Sequence, residues 1–120
     1  MKKFFDFENL HVWNESVLFS ETVYKFTNTL PKSEDYGLKD QIKRAVISIT
    51  LNIAEGKGRH YTKEYIRFLY IARGSLYEVI SCLKLAVQLK FIEEESCKRI
   101  YDQGKSIQLM LSSLINSLQK

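Results

Sequence analysis

The sequence predicts an all-α protein, an antiparallel up-down-up-down four-helix bundle. Three observations lead there. Proline occurs once in 120 residues and glycine five times, too few breakers for the many turns of an all-β chain. Apolar residues recur at three- and four-residue spacing through long runs. The corners between these runs are short, so consecutive helices must run antiparallel. The length fits a single domain, residues 1–120.

The first helix is expected over about residues 10–29, with Asn9 as its N-cap. Leu10, Trp13, Val17 and Tyr24 mark one apolar stripe, and Val12, Phe19, Val23 and Phe26 a second. Pro31 and Gly37 then break the chain, with a short helical turn at Ser33–Tyr36. The second helix is expected over about residues 38–55, on the stripe Leu38, Ile42, Ala45, Ile49 and Ile53. Gly56 or Gly58 is expected to end it in the left-handed conformation. Thr62 is expected to cap the third helix, about residues 63–90. Its main stripe is Tyr65, Phe68, Leu69, Ala72, Leu76, Val79, Leu83 and Ala86. The fourth helix is expected over about residues 93–118, with acids in its first turn, where the helix dipole favours them. Its stripe is Cys97, Tyr101, Gly104, Ile107, Leu111, Leu114 and Leu118.

The residue inventory excludes most chemistry. His11 and His60 are the only histidines, far apart in sequence, and two cysteines are too few for a zinc site. No Glu-x-x-His motif of a di-iron bundle occurs. Gly56-Lys57-Gly58 follows a helix and lacks the Ser or Thr of a phosphate loop. No catalytic residue, metal or cofactor is therefore expected, and the protein is read as non-enzymatic. Cys82 and Cys97 are expected to be reduced core thiols, roughly level across the last hairpin. Asp6 and Glu8 interrupt the apolar N-terminus as a signal peptide would not allow, and no apolar run of about 18 residues occurs. A cytoplasmic location is expected.

The segment Asn52–Tyr65, NIAEGKGRHYTKEY, reads as the corner between two helices. If the hairpin turns near residue 61, Ser48 lies opposite Gly74, Asn52 opposite Tyr70 and Glu55 opposite Arg67. This predicts a polar seam. Its small residues would permit close helix approach, with Gly74 present for that reason, and Glu55 would pair with Arg67. The seam is read as a device that fixes pairing and register rather than as a binding groove.

Positive charge concentrates on the same hairpin. Between Lys39 and Arg73 there are eight basic residues and three acids, net +5, against +4 for the whole chain. Lys43, Arg44, Lys57, Arg59, Lys63 and Arg67 are the candidate nucleic-acid contacts, through phosphates, with Tyr61 and Tyr65 available to stack on unpaired bases. A solvated basic face is the alternative. The first and third helices carry more apolar surface than one core stripe needs, so a homo-oligomer is expected.

Two segments, YGLKDQIKRAVISITLNIAEGKGR and EYIRFLYIARGSLYEV, closely resemble the bacterial four-helix-bundle proteins of the 23S rRNA intervening-sequence family. FENLHVW and LPKSEDYGL fit that family's opening and first corner. The resemblance covers nearly the whole chain and is looser in the last helix. It implies a left-handed bundle, often a ring-shaped homopentamer, and it places Asn52, Glu55, Gly56, Gly74 and Ser75 in the shared motif, as scaffold. The accessory variability proteins of diversity-generating retroelements resemble the same pattern. Those are basic pentamers that bind nucleic acid and a reverse transcriptase. The expected partners are thus further copies of the chain, and RNA or a nucleic-acid–protein complex. The alternative is a protein-interaction scaffold without direct nucleic-acid contact.

Overall fold

The computed structural model describes residues 3–120. Four long helices follow in order: α1 (His11–Thr27), α2 (Leu38–Lys57), α3 (Thr62–Gln88) and α4 (Lys98–Leu118). Short 3-10 turns at Asp6–Asn9, Lys32–Glu34 and Glu94–Cys97 complete the described secondary structure, and the described residues contain no strand.

Side chains that meet across helices establish the antiparallel order. Between α1 and α2, the hydroxyls of Ser16 and Thr50 lie 2.9 Å apart, and Lys43 Nζ sits 5.1 Å over the Tyr24 ring. Between α2 and α3, Ser75 Oγ donates to Ser48 Oγ at 2.8 Å, and Gln41 Nε2 donates to Glu78 further along the pair. Between α3 and α4, Gln108 Nε2 donates to Tyr77 Oη at 2.6 Å, while Lys84 lies over the Tyr101 ring. In each pair, rising numbers on one helix meet falling numbers on the next.

The core follows the expected stripes most closely on α3, where all eight predicted residues are buried. On α2, Val46 and Gly56 join Ile42, Ala45, Ile49 and Ile53. On α1, Val12, Phe19 and Val23 are buried together with Ser16 and Thr27, whereas Val17 and Tyr24 are exposed. On α4, Ile100 and Ile115 are buried, while Tyr101, Leu114 and Leu118 only pack against the rim of the core. Mixed aliphatic and small polar positions blur the 3.6-residue pattern there, so the stripe drawn from sequence drifts off the buried face.

The corners differ more. Asn9 lies inside the first 3-10 turn, and Leu10 is the N-cap of α1. Glu8 accepts from the amides of Phe4 and Phe5, and Asn14 Nδ2 donates to the carbonyls of Glu8 and Leu10. The helical turn expected at Ser33–Tyr36 forms one residue earlier and shorter. Thr62 is the first residue of α3 and makes no cap; Tyr61 holds that position. Neither Gly56 nor Gly58 is left-handed, since Gly58 has φ −81°. The left-handed residue is Lys90, at φ 66°. It closes α3 in a Schellman arrangement, with Phe91 N donating to Ala86 O and Lys90 N to Val87 O. The fourth helix begins at Lys98 rather than near residue 93, because Glu94–Cys97 winds as a 3-10 turn first.

Both cysteines are free, Cys97 buried and Cys82 half-buried. They are not level. On the register fixed by Tyr77–Gln108 and Arg73–Ser112, Cys82 lies beside Gln103, so Cys97 is displaced by about 9 Å along the helix. Burial pushes both thiols above their ordinary pKa.

Candidate nucleic-acid interface

The α2–α3 corner is built around a glycine. Gly56 is buried in the last turn of α2, and a Cβ there would lie 2.8 Å from Phe68 Cβ and 3.1 Å from Tyr65 Cδ1. Only glycine lets α2 come down onto the first turns of α3 at this spacing. Tyr65 is thereby buried, its hydroxyl has no hydrogen-bond partner among the described residues, and burial raises its pKa.

Basic side chains surround this corner. Arg59 Nη2 donates to Glu55 Oε2 at 2.5 Å, and its guanidinium lies 4.6 Å over the Phe68 ring. Arg67 approaches the same ring at 5.6 Å, and Lys57 Nζ lies 5.8 Å from the Tyr65 ring. Lys63 is exposed, and together with Arg67 and Tyr70 it lines a shallow groove on α3. Tyr61 is 65% exposed, with its ring edge-on to His60 at 4.7 Å. Against Glu55 and Glu64, the four cations leave the α2–α3 corner itself positive, with an exposed aromatic beside them, while the N-terminal turn brings the acid Asp6 into the neighbourhood of Tyr65.

The six candidate contacts therefore fall into two groups. Lys57, Arg59, Lys63 and Arg67 share the corner. Lys43 and Arg44 lie about 20 Å back along α2. Lys43 is half-buried against Tyr24, and Arg44 faces Asp40 at 3.9 Å. Closeness in sequence concealed this separation, because one straight helix divides the two groups.

The polar seam differs from its expected form. Ser48 meets Ser75 instead of Gly74, one residue off the corner arithmetic. Asn52 turns back on its own helix, donating to Ser48 O at 2.7 Å and Ser48 Oγ at 2.9 Å, rather than crossing to Tyr70. Glu55 pairs with Arg59, four residues further on, and not with Arg67 across the hairpin. Gly74 is exposed, and a Cβ there would meet nothing within 4 Å, so no close approach inside the chain explains it. Sequence reasoning missed a second hydroxyl cluster, Ser16, Ser20 and Thr50 between α1 and α2. The Ser16–Ser20 spacing on α1 was the available signal.

Among the described residues, no three His, Cys, Asp or Glu side chains converge as a metal site, and no helix is long and apolar enough to cross a membrane.

One family model, described as 23S rRNA-intervening sequence protein, matches residues 8–113. Among solved structures, similarity extends to a 1.70 Å crystal structure of a protein of unknown function from the S23 ribosomal protein family of Bacteroides thetaiotaomicron VPI-5482. It aligns with a TM-score of 0.79 and 25% identity over 87% of this chain and 97% of that one. No curated protein matches.

Proposed function

We propose, from the premise that the chain belongs to the 23S rRNA-intervening sequence protein family, that it is a non-enzymatic, homo-oligomeric bundle that binds structured RNA through the basic end of its α2–α3 hairpin. The observation that carries this reading is the grouping of Lys57, Arg59, Lys63 and Arg67 around one corner, with Tyr61 exposed beside them. Cations on a rigid corner suit phosphate contact, which is sequence-independent and salt-sensitive. An exposed tyrosine adds a stacking surface for an unpaired base at a loop or bulge. A ring of copies, of which a pentamer is the form the resemblance implies, repeats the corner around one axis and multiplies weak contacts.

Lys43 and Arg44 belong to this surface only if the RNA extends along α2. Titration of binding to a stem-loop RNA against salt tests the reading. Affinity should be highest at low salt and fall steeply. Absence of binding at low salt, or indifference to salt, removes it. A second reading, a scaffold that engages another protein, is favoured by the engagement of Arg59 with Glu55 and Phe68, which leaves less free charge. A protein partner retained after nuclease treatment supports that alternative.

A further inference from the structure

The turn before α1 carries a small aromatic stack. Glu8 Oε2 accepts from the amides of both Phe4 and Phe5 at 2.9 Å, which holds the backbone of the turn. Phe5 then lies nearly parallel to Phe7, with ring centroids 5.9 Å apart and 13° between the planes. Phe7 in turn meets Trp13 edge-on at 5.0 Å, and Trp13 packs against the core. The stack is thus anchored at one end and open at the other. Phe5 stays 66% exposed with one ring face on Phe7, so its opposite face is free. A ring held parallel to a second ring and open on its far side is half of a slot for a flat partner.

The turn sits at the basic corner. It packs against α2. The contacts Ser16–Thr50 and Ser20–Val46 fix the α1–α2 register. Continued past both helices, that register sets Phe5 about level with Tyr61. Asp6 is near enough that, after burial, its charge is the second cause raising the pKa of Tyr65. Phe5 and Tyr61 are therefore exposed aromatics at the same end of the bundle as Lys57, Arg59, Lys63 and Arg67. The turn itself brings no net positive charge, since Lys3 stands against Asp6 and Glu8. It offers a ring face rather than a cation. A bilayer of anionic lipid would lay its headgroups over the whole tip, Asp6 included. A looped RNA strand can instead set its phosphates on the corner cations and one unpaired base on the ring.

We infer that the free face of Phe5 is a stacking platform for an unpaired base of the RNA that the α2–α3 corner holds. This rests on the RNA-binding reading above and deepens it by naming a residue outside the hairpin that receives a base. Stacking on an aromatic ring tolerates any base, because every base has a π face. The platform thus selects a loop or bulge over a duplex, not one sequence over another.

Binding of the full chain to a stem-loop RNA, and to a blunt duplex of the same stem, tests the assignment. Phe5→Ala and Phe5→Leu should each raise the Kd for the stem-loop by about fivefold or more, at unchanged melting temperature. Phe5→Tyr keeps the flat ring and should bind as the unaltered chain does. None of the three should change the Kd for the duplex. None should change the slope of log affinity against log salt either, because stacking releases no counterion. Unchanged stem-loop binding by Phe5→Ala overturns the assignment, and so does an equal loss on the duplex. Phe5→Leu binding like the unaltered chain overturns it too, since the contact would then be apolar and not stacked. Cosedimentation with vesicles of phosphatidylcholine and phosphatidylglycerol that needs Phe5, alongside RNA binding that does not, assigns the ring to a lipid surface instead. If the unaltered chain binds neither RNA at low salt, the RNA reading falls and the platform with it, a result visible before any variant is compared.

Discussion

Gly56 and Gly74 stand on facing helices, and alanine should act on them in opposite directions. A Cβ at Gly56 would be forced against Phe68 and Tyr65, so Gly56→Ala should lower unfolding free energy by about 1–3 kcal/mol through overpacking. Gly74→Ala meets only open space and should raise it by about 1 kcal/mol at concentrations where the chain is monomeric. Urea denaturation of both variants checks the pair; equal signs would contradict the packing described. Lys90 gives a third case. It holds φ 66° without glycine's freedom, so Lys90→Gly should stabilise by about 1 kcal/mol, within the usual cost of a left-handed L-residue. None of these differences was legible in sequence. Gly56 and Gly58 suggested a left-handed cap on α2, yet α2 ends without one, and the left-handed residue is Lys90 at the end of α3, beside Phe91, which packs against the core. Glu55 was misread too. Its exposed pairing with Arg59 is an i,i+4 contact, so Glu55→Ala should cost only about 0.3–0.5 kcal/mol.

At the scale of elements, the helices were legible and their junctions were not. The α3 stripe is continuous in sequence and entirely buried, since a long helix packed along its length leaves the period undisturbed. The α2–α3 register came within one residue, because a short corner constrains pairing strongly. The α3–α4 corner escaped because EEESC has the acids of a helix start but winds as a 3-10 turn. That corner has an acid-sensitive lock. Lys84 Nζ donates to Glu94 Oε1 at 2.5 Å, and Tyr101 Oη donates to Glu94 Oε2 at 3.3 Å. The hydrogen bond from Lys84 is the main cause holding the Glu94 carboxyl below its ordinary 4.5. Its folded pKa lies below its unfolded one, so the contribution is complete above about pH 4.5 and is lost as pH falls through the depressed value. Asp35, held down chiefly by Lys39, and Glu8, held down by the amides of Phe4 and Phe5, act in the same direction. The melting temperature should thus be flat from neutrality to about pH 5 and fall below it. Glu94→Gln should show a smaller acid loss than the unaltered chain; an identical acid limb would assign the loss to other carboxylates.

For the whole molecule, charge placement separates an RNA surface from a merely soluble one. A net +4 is modest, and charge spread evenly would give weak binding in which any lysine is as good as another. Here the cations are divided by the length of α2. Lys57 and Lys63 flank the corner, whereas Lys43 is occupied by the Tyr24 ring about 20 Å away. Both groups lie within one basic stretch of sequence, so composition revealed the charge but not its division, which depends on how the helix is laid out in space. If the corner binds RNA, neutralising a lysine that touches phosphate removes one released counterion. The slope of log affinity against log salt should then become shallower by roughly one for each lysine–phosphate pair removed. Lys57→Gln and Lys63→Gln should each do this with a stem-loop RNA, at unchanged melting temperature. Lys43→Gln should leave the slope in place and perturb only the α1–α2 packing. Tyr61→Ala should weaken binding to a looped RNA by about 1–3 kcal/mol while sparing a blunt duplex, because stacking needs an unpaired base. Equal weakening by Lys43→Gln and Lys63→Gln would mean that RNA reads net charge alone, and the corner would then be no more an interface than any other basic patch.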